Sequence, residues 1–170
     1  MMAKTTSENI KSSLVTKAAE FATERFNGKL DDEGKDYFTA HCMPAYRIIC
    51  ELTSDKEIQS ATILHDTLED TDTTYKELVI GFGKRVADLV NEVTHEGTND
   101  QDGYYFPRLK SRDGILIKFA DRLSNLSRMT AWSEKRQAQY LRKSKFWKSE
   151  KGGSTEQNIK QRSEGTKHEG

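Results

Sequence analysis

The chain has 170 residues, enough for one compact domain that buries a core without disulfide or structural-metal staples. Lys plus Arg and Asp plus Glu both number 27, so the net charge is zero and no nucleic-acid partner is expected; no apolar stretch approaches the roughly 20 residues of a membrane span. The charge is uneven, with ten basic and five acidic residues in 134–170 against seventeen and twenty-two in 1–133, so an acidic body that suits a cation precedes a basic end.

Cys42 and Cys50 are the only cysteines, eight apart on one predicted helix, so no disulfide is expected and a reducing compartment fits. The N-terminus MMAKTTSENIKSS has no signal-peptide apolar core, and the expectation is a soluble cytoplasmic protein.

Apolar residues at 14, 15, 18, 19, 22 and 26 predict a first helix after Ser12 or Ser13 caps. NGKLDDEGKD (27–36) reads as an exposed acidic loop bordering a site. A second helix is predicted from near His41 to Thr53, with Pro44 in its first turn. Ser54 or Asp55 caps a third, in which Ile58, Ala61, Leu64, His65 and Leu68 keep a 3.6-residue period through the charged cluster 65–70. Thr74 to Glu77 has the capping-box pattern of a short fourth helix, which Gly81 and Gly83 end. Val86, Leu89, Val90 and Val93 give a fifth. HEGTNDQDGYY (95–105) reads as a loop long enough for a lid or rim, with His95 and Arg108 on its cleft side. Leu116, Phe119, Ala120, Leu123 and Leu126 define a sixth helix. A basic seventh runs from about Ser133 to Lys148, anchored by Tyr140, Leu141, Phe146 and Trp147. The expectation is an all-α bundle of about six to seven helices in one domain over 1–148, followed by a disordered polar tail over 149–170.

The chemistry concentrates at His65-Asp66, a pair of ionisable groups inside the apolar run from Ala61 to Leu64. Burying both is costly unless something pairs with them. His41 and Asp121, the latter following the run Ile115 to Ala120, are likewise set against the hydrophobic pattern. Together the four make a shell of two imidazoles and two carboxylates, a donor set for Zn, Mn or Fe, whereas Ca and Mg prefer all-oxygen shells. Taken singly, each has a plainer account: a hydrogen-bonded core histidine, an Asp121-Arg122 surface ion pair, a solvated helix end at Glu69-Asp70. The combination favours one divalent ion. Lys29, Lys35, Arg47, Lys118, Arg122 and Arg128 are candidate phosphate partners.

Three ordered motifs carry a family likeness. ATILHDTLEDTDTT (61–74) has the pattern apolar-HD-x-x-ED-T, FGKRVADLVNEVT (82–94) matches FG-x-x-VA-x-LV-x-x-VT, and KFADRLSN (118–125) matches K-x-ADR-x-x-N. From about Ala18 to Met129 the chain resembles the hydrolase domain of the RelA/SpoT alarmone enzymes and their small single-domain, Mesh1-type relatives, an HD-domain helical bundle. The resemblance implies a Mn2+-dependent pyrophosphohydrolase acting on a small nucleotide, ppGpp or pppGpp, with Zn2+ or Fe2+ as other possible ions. It implies His41, His65, Asp66 and Asp121 as metal ligands, Glu69 and Asp70 as the acid/base pair, and Asn125, Lys118, Arg122 and Tyr37 as substrate contacts. Lys35 and Arg47 join these as cations near phosphate. The same site suits other substrates, (p)ppApp or the 2′-phosphate of NADPH, or a nucleotide-binding module of reduced activity; no oligomeric state follows. In four respects the chain departs from the family: Phe26 and Lys29 replace a His and a Gln, Asp31 and Asp32 stand where a basic residue is usual, Cys42 replaces a Pro after His41, and one extra residue separates Tyr37 from His41.

Overall fold

Helix α1 spans Ala3–Arg25, starting well before the expected Ser12 or Ser13 caps. Nothing between residues 3 and 25 breaks a helix, since the segment has neither Gly nor Pro, and Ser and Thr only weakly disfavour an interior position. The computed structural model of the chain describes residues 3–95 and 108–143, with side chains over 14–95 and 108–142. The expected 95–105 rim beyond His95, Phe146, Trp147, the end of the seventh helix and the 149–170 tail lie outside the described residues.

Small Ala18 and Ala22, with Phe26 one further turn along, form the fully buried edge of α1. The following loop folds into a tight hairpin, with Leu30 bridged to Asp36 and Gly34 at φ 76°. Asp31 organises this turn. Its backbone N–H donates to Lys35 O at 2.8 Å, and its Oδ1 accepts from the amides of Glu33 and Lys35 at 2.9 Å each.

The chain then enters a π-helical turn, Phe38–Cys42, in which Met43 N–H reaches back five residues to Phe38 O. It runs directly into α2 (Met43–Leu52), whose first turn accepts Pro44 as expected. A π turn is the local form that one inserted residue takes within a helix. The extra residue expected between Tyr37 and His41 falls in this π turn, whose wider loop can take up one residue without shifting the helix beyond it. Deleting the exposed Thr39 is expected to convert the π turn into α-helix while one manganese ion per chain is still bound. Isothermal titration checks this, and loss of the ion would contradict it.

Asp55 caps α3 (Lys56–Leu64), accepting from the amides of Glu57 and Ile58. An Asp55→Ala substitution should cost about 1 kcal/mol, read as a shift in urea midpoint. α3 is buried on every side from Ile58 to Leu64 and packs against α1, α2, α6 and α7. Its polar residues are satisfied locally: Gln59 donates to Thr53 O at 2.8 Å, and Ser60 and Thr62 donate to carbonyls one turn back. The predicted single helix through residue 68 is in fact broken. α3 stops at Leu64, Asp66 takes φ −96°, ψ 0°, and a one-turn α4 (Thr67–Asp70) restarts the chain.

Thr74 and Glu77 form the anticipated capping box at α5 (Tyr75–Phe82). Gly81 lies inside that helix. Gly83 alone ends it, at φ 87°, a backbone setting that a side chain resists. α6 (Lys84–Val93) buries the whole expected stripe of Val86, Leu89, Val90 and Val93.

Ser111 caps α7 (Arg112–Arg128), held there by Glu92, whose Oε1 accepts from Lys110 N and whose Oε2 accepts from Ser111 Oγ. A 3-10 turn, Met129–Ala131, leads to α8 (Glu134–Lys143). Among the described residues there is no strand, only the Leu30–Asp36 bridge, and no helix is long and apolar enough to cross a membrane. Cys42 and Cys50 are both free thiols.

Candidate metal centre

α7 brings the last candidate ligand, and it does so by turning a polar face inward. The apolar residues expected to define its core side, Leu116, Phe119, Ala120, Leu123 and Leu126, include only one that is buried, Ala120; Phe119 and Leu123 are 43% and 46% exposed. The buried set is Gly114, Ile117, Lys118, Ala120, Asp121, Arg122 and Ser124. Hydrophobic spacing counts carbon, whereas this face is buried because it meets ionisable groups on the π turn and α3.

Three donor groups, His41, His65 and Asp121, lie close enough together to hold a metal ion, and Asp66 stands against the two imidazoles. His41 Nε2 lies 3.1 Å from His65 Nε2, and Asp66 Oδ2 is 3.0 Å from both. Asp121 Oδ1 is 3.5 Å from His41 Nε2 and 3.7 Å from His65 Nε2. Donors about 2.1 Å from a common ion lie roughly 3.0 to 3.4 Å apart for octahedral or tetrahedral arrangements; the edges among His41, His65 and Asp66 fall in that range, and the two from Asp121 to the imidazoles are a few tenths of an ångström longer. Asp66 is 13% exposed and the other three ligands are almost completely buried, so the cluster opens to solvent on the Asp66 side.

The chemistry of the donors fits a cation as well. His65 Nδ1–H donates to Thr62 O at 2.8 Å; a carbonyl can only accept, which fixes the tautomer and leaves the Nε2 lone pair facing the cluster. Ser124 Oγ donates to His41 O at 3.1 Å and ties the π turn to α7. Lone pairs held this close repel unless protons or a cation stand among them. Without an ion, burial works to lower the His65 pKa, but the Asp66 and Asp121 carboxylates outweigh it and push it up to about 10. Burial likewise works to raise both carboxylates. It loses to His65 and His41 around Asp66, and to Lys118, His65 and Arg122 around Asp121, so both stay well below the usual range.

Further groups hold the ligands in place. Tyr37 Oη donates to Asp66 Oδ2 at 2.6 Å, and its ring lies 5.2 Å from His41 and 5.1 Å from Phe26. Phe26 thus serves the core and backs Tyr37. Lys29 Nζ sits 4.7 Å from the Tyr37 ring centre and pairs with Asp70 Oδ2 at 2.8 Å. Lys118 Nζ pairs with Asp121 Oδ2 at 2.8 Å, and Asn125 Nδ2–H donates to Asp121 Oδ1 at 2.9 Å.

Glu69 and Asp70 stand beside the cluster on α4, where Asp70 N–H bonds Asp66 O at 2.9 Å, so one turn still separates acid from ligand despite the break. Glu69 Oε2 accepts from His95 N–H at 3.1 Å. Burial, with the Asp66 charge adding to it, raises the Glu69 carboxyl above its ordinary range, toward the pH at which a general base works best.

The acidic hairpin turns out to be neutralised from α7 and α8. Asp31 Oδ2 binds Arg128 Nη1 at 3.0 Å, Arg128 Nη2 donates to Asn125 Oδ1 at 2.9 Å, and Asp32 pairs with Arg136. Arg122 Nη1 donates to Tyr140 Oη at 3.1 Å, so α8 docks beside the site. Lys35 pairs with Glu33 at the hairpin's exposed tip, and Arg47 is exposed on α2; among the described residues no hydrogen bond or ion pair joins either to the cluster. The roles of Glu92, of Tyr140 and of Arg128 toward Asn125 carry no local sequence signal, because the partners are distant in the chain: Asp31 and Arg128 are 97 residues apart.

Comparison with known proteins finds relatives of this chain. Residues 18–101 match the HD domain family. The chain is 35% identical over 130 residues to the guanosine-3′,5′-bis(diphosphate) 3′-pyrophosphohydrolase of Aquifex aeolicus, covering 72% of this chain but only 18% of that protein. It is 32% identical over 157 residues to the Xenopus tropicalis guanosine-3′,5′-bis(diphosphate) 3′-pyrophosphohydrolase Mesh1, covering 81% of this chain and 82% of the relative. A solved structure of a metazoan orthologue of SpoT, described as hydrolysing ppGpp and playing a role in starvation responses, superposes with a TM-score of 0.66 at 26% identity, over 78% of this chain and 82% of that one.

Proposed function

The chain belongs to the HD-domain family, and from that premise we propose that it is a metal-dependent phosphohydrolase that removes the 3′-diphosphate of ppGpp as pyrophosphate in the cytoplasm. The observation that carries this reading is the cluster of His41, His65 and Asp121, with Asp66 Oδ2 against both imidazoles, next to two further carboxylates, Glu69 and Asp70. The four ligands would hold one Mn2+, which supplies Lewis-acid polarisation and lowers the pKa of water in its shell.

The protein's own groups do the rest. Glu69, buried and held by the His95 amide, accepts the proton of the attacking water. Asp70, kept beside it by Lys29, shares in returning a proton to the leaving 3′ oxygen. Lys118 and Arg122 lie on the same inward face of α7 as Asp121 and offset the phosphate charge, while Asn125, held between Asp121 and Arg128, presents its amide to the nucleotide. Tyr37 serves by orienting Asp66.

Purified protein with Mn2+ is expected to release pyrophosphate from ppGpp, followed by coupled phosphate detection and by chromatography of the nucleotide product. A metal-loaded sample that forms no GDP or pyrophosphate would sink the reading. Running pppGpp, (p)ppApp and NADPH beside ppGpp, each with Mn2+, Zn2+ and Fe2+, tests the choice of substrate and ion in the same assay.

A further inference from the structure

Glu69 takes its hydrogen bond from the main chain, through His95 N–H. That amide and the Thr94 carbonyl are the two ends of one peptide unit. Arg108, 14 residues beyond Thr94, grips the oxygen end: its Nη2 donates to Thr94 O at 3.3 Å, and its Nε donates to Asn91 O at 2.8 Å. Both oxygens belong to the end of α6, which closes at Val93 with Thr94 extended at ψ 131°. Terminal helix carbonyls lack intrahelical partners and carry the negative end of the helix dipole, so a guanidinium fork suits them.

The rotation of this peptide plane is the degree of freedom at issue. Thr94 is already fixed from the helix side, since its N–H and its Oγ1 both donate to Val90 O, at 3.1 and 2.8 Å. What remains is the torsion that swings the Thr94 oxygen and the His95 N–H together. We propose that Arg108 is a positioning residue for Glu69: by binding the oxygen of the 94–95 peptide it holds that plane so that the opposite N–H points at the Glu69 carboxylate. A cation on the oxygen also polarises the amide and strengthens it as a donor. Arg108 acts through this peptide rather than on the reacting atoms. The inference rests on the reading of Glu69 as the proton acceptor.

The test compares wild type with Arg108→Gln, Arg108→Lys and Glu69→Gln, using ppGpp turnover with Mn2+, bound-metal analysis, and the His95 amide resonance in 15N-labelled protein. Arg108→Gln is expected to lose about tenfold or more in kcat, the order of effect that misplacing a catalytic group produces, while KM and bound manganese stay close to wild type. Its His95 amide proton should move upfield, as it should in Glu69→Gln. Arg108→Lys, which keeps a cation but reaches one carbonyl, should recover part of both effects, and it carries the comparison if Arg108→Gln does not fold. Unchanged kcat in folded, metal-loaded Arg108 variants overturns the proposal, and so does a His95 amide indifferent to Arg108. An inactive wild type would instead refute the proposed function, with the amide resonance still reporting on the Arg108 contact.

Discussion

Asp66→Ala is expected to lose tight manganese binding and all measurable pyrophosphate release while remaining folded. Asp66 Oδ2 is the one atom within 3.0 Å of both imidazoles, and it also accepts the Tyr37 hydroxyl. Removing it leaves His41, His65 and Asp121 as the remaining residues that would hold the ion, and releases the ring that backs His41. Disturbing groups behind a ligand typically weakens metal affinity about 10- to 100-fold, and losing the ligand itself should exceed that. The thermal signature is distinct. For wild type, manganese at about 100 times its dissociation constant should add about 2.7 kcal/mol, worth several degrees in a domain of this size, and a chelator should remove it. The variant's melting temperature should ignore both additions. One ion per chain bound by Asp66→Ala with wild-type affinity would show that the four-ligand centre is wrong.

How much of this was readable beforehand depended on whether the signal was local. His65-Asp66 stood out because two ionisable groups interrupt an apolar helix, and that cost is visible in any window of the sequence; Asp121 stood out for the same reason. Caps were equally legible, since Asp55 and the Thr74–Glu77 box act within three residues of themselves. The break after Leu64 was hidden because the 3.6-residue period continues across it, although the backbone at Asp66 does not. The family spacing put one extra residue between Tyr37 and His41, and the backbone takes a π turn over that stretch, a widened turn that no periodicity in the sequence announces.

Charge misled most where it was counted without partners. Asp31 and Asp32 read as part of an exposed acidic loop standing where a basic residue is usual, yet each is matched by an arginine from much later in the chain. The same limit applied to α7. Its exposed Phe119 and Leu123 looked like core, and Lys118 and Arg122, named as candidate phosphate partners, take the buried places instead, because periodicity carries no information about a polar site at the centre of the bundle.

Glu69→Gln separates the catalytic role from all of these structural ones. Gln keeps the shape of the side chain and an oxygen that can accept from His95 N–H, so α4 and the turn after α6 should hold their positions. No metal ligand is altered, and one manganese ion per chain should remain. What disappears is a basic carboxylate, raised by burial and poised beside Asp66. Removing a positioned general base typically costs about 10² to 10⁴ in rate, and the loss should fall on kcat with KM nearly unchanged, because the group acts on a proton transferred in the transition state. Asp70→Asn provides the comparison. It loses a carboxylate that is already paired with Lys29, so its effect on kcat should be smaller and should come with a disturbed Lys29 and Tyr37 contact. A Glu69→Gln enzyme that turns over ppGpp at the wild-type rate would remove Glu69 from the chemistry and leave the proton to Asp70.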